Sequence, residues 1–134
     1  MLEPKKTKHR KQRKGRSKGN ETRGTALAFG SFGIMSLSTK WINSKQIEAA
    51  RKVILGYLKK KGKLWLRIFP NKPITSKGSE VPMGGGKGMV SGYVFPLKPG
   101  RIIFELDGIE REIAKEALEK AANKLPIKTK FIEK

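Results

Sequence analysis

The stretch Pro82-Met83-Gly84-Gly85-Gly86-Lys87-Gly88-Met89-Val90 is where residue type and spacing first suggest chemistry. Glycine packs nothing and loses the most entropy on ordering, so a core has no use for such a run. It fits a place where bare backbone approaches another surface, and amides grouped around a lysine suit a surface carrying phosphates. Nucleotide-binding loops are nevertheless excluded. The Gly-x-x-x-x-Gly-Lys-Ser/Thr pattern fails because Lys87 is followed by Gly88 and Val81 stands five before Gly86. A Gly-x-Gly-x-x-Gly pattern fails at Met89. The segment that follows reads as a strand, so the helix dipole that completes such sites is missing.

Other material for catalysis is scarce. There is no cysteine, which removes disulfides and thiolate-held zinc, and the single histidine, His9, lies among basic residues. Seven of the eleven carboxylates fall in residues 102–134, four of them in a helical pattern where they serve solubility and the dipole; Glu80 is the one isolated acid near the glycine run. The expectation is a protein with no catalytic residues, no metal site and no cofactor.

Charge says more. The chain has 134 residues with 31 Lys/Arg against 11 Asp/Glu, a formal +20. Such self-repulsion handicaps a free domain unless a polyanion neutralises it. No apolar run approaches the roughly 20 residues needed to span a bilayer, and the opening Met-Leu-Glu-Pro-Lys-Lys is not a secretory start. Nucleic acid is the favoured partner. Residues 1–24 hold ten Lys/Arg against two Glu, while residues 102–134 hold seven of each sign. One basic side and one neutral side follow.

The basic side has three parts. Lys5, Lys6, Lys8, Arg10, Lys11, Arg13, Lys14, Arg16 and Lys18 lie in a leader with almost nothing apolar, which cannot fold alone and reads as an arm over residues 1–24 that orders on phosphates. Lys45, Lys52, Lys59 and Lys60 fall on the polar face of a helical pattern, joined by Lys72 and Lys77 ahead of the glycine run. The lysines from 59 onward also suit a helix C-terminus through its dipole, so charge complementarity with the backbone explains part of that cluster. The third part is the glycine tip itself, Pro82 to Gly88.

These residues need a scaffold, and residues 25–134 read as one domain. Residues 25–39 are uncharged and rich in β-formers, suggesting one or two strands with a bend at Gly30 or Gly33. Asn43 or Ser44 can cap a helix, with Gln46 as capping-box partner, Ile47, Ala50, Ile54 and Leu58 as its buried stripe, and Gly62 as its stop. Lys63–Phe69 alternates as a strand with both faces occupied; Trp65 beside Arg67 could stack on a base, but sheet packing is favoured. Pro70 to Pro73 breaks that strand, and Ile74–Glu80 reads as irregular. Tyr93–Leu97 and Arg101–Leu106 read as strands about a turn at Pro99-Gly100. A helix over Ile109–Lys124 buries Ile113, Ala114, Ala117, Leu118 and Ala121, and Ile127–Ile132 is a last strand. The order implies an α+β sandwich, two helices on one face of a mostly antiparallel sheet.

Several segments are familiar as a set. Met1-Leu2-x-Pro4-Lys5-x-Thr7-Lys8, Trp41-Ile42, Arg67-Ile68-Phe69-Pro70-x-Lys72-Pro73-Ile74-Thr75, Met83-Gly84-x-Gly86-Lys87-Gly88, Lys98-Pro99-Gly100-Arg101 and Leu125-Pro126-Ile127-Lys128 occur in that order over essentially the whole chain. Together they resemble the bacterial-type L-sixteen family of large-subunit ribosomal proteins. The resemblance implies an α+β sandwich bound to large-subunit rRNA beside the aminoacyl-tRNA site, with arm and tip reaching toward the peptidyl transferase region and the tRNA elbow. It implies contact residues rather than catalysts, a role in tRNA positioning and late subunit assembly, neighbouring ribosomal proteins as partners, and no homo-oligomer. It places the chain on the ribosome in a bacterial cytoplasm, or in an organelle's stroma or matrix. The tip departs from the family pattern: Pro82 replaces a common basic residue, Gly85 a common Lys or Ser, and Ser91-Gly92-Tyr93-Val94 the usual Glu-Tyr-Trp-Val. The alternative is a general basic nucleic-acid-binding protein or chaperone; an RNA-processing enzyme is disfavoured by the shortage of His, Cys and paired carboxylates.

Overall fold

The computed structural model describes residues 2–5, 19–76 and 89–134. In chain order these form β1 (Phe32–Ser36), β2 (Lys40–Asn43), α1 (Ser44–Leu58), β3 (Lys63–Leu66), β4 (Lys72–Ser76), β5 (Met89–Leu97), β6 (Ile102–Asp107), α2 (Arg111–Ala122) and β7 (Thr129–Glu133). The fold is α+β, as the pattern implied, and all strand pairings are antiparallel. The strands divide between a four-stranded sheet ordered β3-β6-β1-β7 and a three-stranded sheet ordered β2-β5-β4.

The helices form where their signals stand. Asn43 Oδ1 accepts the Gln46 N–H at 2.9 Å and Gln46 Oε1 accepts the Asn43 N–H at 3.0 Å, so a reciprocal capping box opens α1. Ile47, Ala50, Ile54 and Leu58 form its buried stripe. The helix ends sooner than Gly62 suggested: Lys59 and Lys60 already turn into left-handed backbone, at φ 48° and 69°. In α2, Ala114, Ala117, Leu118 and Ala121 are buried. Ile113 is not part of that stripe and stays 39% exposed, facing a groove shared with α1. The two helices pack on each other; α2 also packs on β1, β6 and β7, and α1 on β2 and β3. Their stripes meet Ile34, Ile103, Phe104 and Leu106 in one core.

Two strands depart from the sequence expectation. β2 was hidden because Lys40-Trp41-Ile42-Asn43 runs straight into the α1 cap. β4 contains Pro73 inside the segment read as a break; it pairs with Tyr93 at the edge of the smaller sheet, where a missing N–H is tolerated. The turn at Pro99-Gly100 forms as read, with Gly100 at φ 98° and the Arg101 N–H reaching Lys98 O at 3.4 Å.

Candidate nucleic-acid interface

Of the arm residues, Lys5 is exposed, and Lys6 to Lys18 lie outside the described residues. What the structure describes is the arm's root, residues 19–24, and the segment 25–30 that joins it to the domain, laid along the four-stranded sheet. Glu21 N–H donates to Pro99 O at 2.9 Å, and Ile102 N–H donates to Gly24 O at 2.7 Å. Arg101 reinforces the attachment: its guanidinium donates to Arg23 O and Arg67 O, each at 3.2 Å, lies 3.8 Å from the Glu21 carboxylate and sits over the Phe95 ring.

The strongest anchor is Glu105. It stands alone as a charged residue in the buried run Ile102-Ile103-Phe104-Glu105-Leu106 and is wholly inaccessible. One carboxylate oxygen accepts the N–H groups of Ala28, Phe29 and Gly30 at 2.9–3.0 Å, and the other pairs with Arg67. Burial alone pushes its pKa up, but the Gly30 amide, Arg67, and the Phe29 and Ala28 amides together outweigh it and hold the carboxyl below its ordinary 4.5. Gly30 is required here, since a Cβ would lie 2.5 Å from Leu106 O. Sequence reasoning attended to Glu80 and passed over Glu105. The signal that could have found it is a lone acid within a strand otherwise buried on both faces, which must be paired.

Lysines behave differently from these arginines. Lys45 and Lys52, seven residues apart, share one exposed stripe of α1, and Lys59 and Lys60 are exposed just beyond its end. Glu48 lies beside the stripe but is held by Arg51 at 3.2 Å, a hydrogen bond that lowers its pKa. Lys72 is on a separate element, at the edge of the smaller sheet, with its ammonium 4.8 Å from the centre of the Trp41 ring. The structure therefore places Lys45 and Lys52 on one stripe of α1 and Lys59 and Lys60 at its end, with Lys72 on a separate sheet edge.

Lys77 and the tip Pro82–Gly88 lie outside the described residues, but the stalk that carries them is clear. β4 and β5 form a hairpin whose last pairs are Thr75 with Val90 and Ser76 with Met89, so residues 77–88 close its open end. A register shift between Ile74 and Thr75 adds a bulge near that end.

Among the described residues, no His, Cys, Asp and Glu cluster has metal-binding geometry, and no helix is long and apolar enough to cross a membrane. The arrangement is a packed core that presents lysines, the fastened root of the leader and the β4–β5 hairpin.

Comparison with known proteins gives this arrangement its context. The family model described as ribosomal protein L16p/L10e matches residues 4–132. Proteins named large ribosomal subunit protein uL16 are 61% identical in Bacteroides thetaiotaomicron and 60% in Porphyromonas gingivalis, each over 98% of this chain and 92% of the relative. The uL16 of Parabacteroides distasonis is 59% identical over the same shares. The chain belongs to the ribosomal protein L16p/L10e family, and is a structural constituent of the large ribosomal subunit rather than an enzyme.

Proposed function

We propose that this chain binds large-subunit rRNA next to the aminoacyl-tRNA site, where it helps position tRNA and complete subunit assembly. Association with rRNA and neighbouring ribosomal proteins in the bacterial cytoplasm follows from the family; the place and the tRNA role are the proposal. In this reading residues 1–24 are an rRNA-binding arm, with Lys5, Lys6, Lys8, Arg10, Lys11, Arg13, Lys14, Arg16 and Lys18 on phosphates. Residues 25–134 are the domain that carries it. Lys45, Lys52, Lys59, Lys60, Lys72 and Lys77 add surface contacts, and Pro82 to Gly88, with Lys87 as the tip's fixed charge, face tRNA and the peptidyl transferase region.

The observation that carries the RNA-binding part is the end of α1. Lys59 and Lys60 both hold positive φ. Left-handed backbone costs a non-glycine residue about 1–2 kcal/mol, and glycine would fill either position more cheaply. Two charges kept at a strained helix end support a role for those charges outside the fold. The hairpin supports the tip's role because β4 and β5 stay paired up to Ser76 and Met89, the residues that flank the glycine-rich segment.

The test uses full-length protein and deproteinised large-subunit rRNA. Each phosphate contact removed should lower the slope of log affinity against log salt by about 0.7–0.9. Replacing Lys59 and Lys60 by Ser is expected to lower that slope by between one and two; an unchanged slope removes them from the interface. For the tip, Lys87→Ala in assembled subunits should weaken aminoacyl-site tRNA binding more than incorporation. Normal tRNA binding with failed assembly would reverse the assignment.

A further inference from the structure

The segment that joins the arm to the domain displays a feature that neither the lysine stripe nor the tip accounts for. Phe29 is 57% exposed, the most exposed large hydrophobic side chain described. Its ring stacks on Trp65 with centroids 6.0 Å apart and planes 20° from parallel, and the Arg67 guanidinium lies 5.3 Å from its centre. Its backbone cannot drift, because the amides of residues 28–30 are all held by the buried Glu105. A ring left half in water is thus carried on one of the most tightly specified segments of the molecule.

Beside it lies a recess of 550 Å³ lined by Phe29, Trp65, Lys63, Asp107, Gly62 and Gly108. The two glycines come together at positive φ, 72° and 82°, and a Cβ on Gly108 would lie 2.8 Å from the Gly62 Cα. That wall is bare backbone with no side chain to fill the space. Aromatic faces line one part of the recess and peptide planes another. Lys63 is exposed at the recess, and Asp107 lines it with Oδ1 already accepting from Ser31 Oγ at 3.1 Å and the Gly108 N–H at 2.8 Å.

We propose that this recess seats one unpaired nucleobase of the bound RNA, stacked against Phe29 and Trp65, with Lys63 on its phosphate. The inference rests on the RNA-binding reading above and adds a contact of a different kind. Lysines on phosphates carry no preference for a particular RNA conformation beyond its charge, whereas a stacking seat accepts only a base that is splayed out of its helix. Charge complementarity selects RNA over an apolar protein segment as occupant: the exposed Lys63 lines the recess in a chain of formal charge +20. Asp107 repels phosphate from the inner end, so the base rather than the backbone enters. Rigid attachment through Glu105 lowers the ordering cost of binding.

The experiment uses the full chain with Trp41→Phe, so that emission reports Trp65 alone. Titration with deproteinised large-subunit rRNA is compared with inorganic polyphosphate, which offers charge without bases. RNA should quench Trp65 and polyphosphate should not, although both bind. Phe29→Leu keeps an apolar cover over Trp65 but has no π face; it should weaken rRNA binding about 5-fold or more, leave polyphosphate binding unchanged, and melt as the parent does. Phe29→Tyr should restore RNA binding. Equal Trp65 responses to both polyanions, no response to either, or full RNA affinity in Phe29→Leu overturns the seat while leaving the lysine interface standing. A parent chain that fails to bind rRNA overturns both. Should Phe29→Leu melt early, the Trp65 response of the Trp41→Phe chain decides alone.

Discussion

Glu105 shows how much one residue can organise. Its wholly buried carboxylate closes the amides of Ala28, Phe29 and Gly30 and pairs with the Arg67 guanidinium. Since its folded-state pKa lies below the ordinary 4.5, its contribution is complete above that value and disappears as pH falls through the folded pKa. Glu105→Gln should therefore be less stable than the parent by about 2–3 kcal/mol at neutral pH, with the gap narrowing in acid as the pH falls from the ordinary 4.5 through the lower folded pKa and the parent's carboxylate is protonated. Urea titrations at neutral and acid pH check this, and a gap that widens in acid contradicts it. The residue was readable in the sequence as an acid in an apolar strand, but its partners were not. They lie 38 and 75–77 positions away, and no local pattern links a strand residue to amides at that separation.

Elements whose causes are local were legible in the sequence. The α1 start followed from Asn43 and Gln46, and both helical stripes followed from spacing, except that Ile113 faces a groove instead of the core. Elements whose causes are tertiary were not. β4 forms despite Pro73 because it is an edge, and edge position is a property of the sheet. The candidate site divides in the same way. Lys45 and Lys52 could be placed on one stripe by period alone, while Phe29 gained its meaning only when Trp65, from another segment, came beneath it. Two substitutions act at this scale. Asn43→Ala removes the cap and should cost about 1 kcal/mol in a urea melt. Lys60→Gly relieves the left-handed backbone and should gain about 0.5–1 kcal/mol, yet weaken rRNA binding in the same salt titration used for the lysine pair. If it stabilised without affecting RNA, the strain at the end of α1 would need another explanation.

For the whole molecule, charge and fold work against each other. A formal +20 repels itself in the isolated chain, so added salt should stabilise the fold while it weakens the complex. Raising NaCl from about 50 to about 500 mM shortens the screening length from roughly 14 to roughly 4 Å. The melting temperature of the free protein should rise over that range as rRNA affinity falls; a falling melting temperature would show that attractive surface pairs outweigh the repulsion. The surface pairs described, such as Arg111 with Glu133 and Arg51 with Glu48, are exposed or nearly so and are worth little.

The pairing of β1 with both β6 and β7 has a consequence for synthesis. Among the described residues, the first strand pairs with the last two, and the leader's root waits for Glu105, Pro99 and Ile102. A nascent chain interrupted before residue 102 has a basic leader but lacks Ile102 and the Glu105 carboxylate that close its root. The fold thus ties the placement of its earliest residues to the arrival of its latest ones, and an unfinished copy cannot present the arm in its docked geometry.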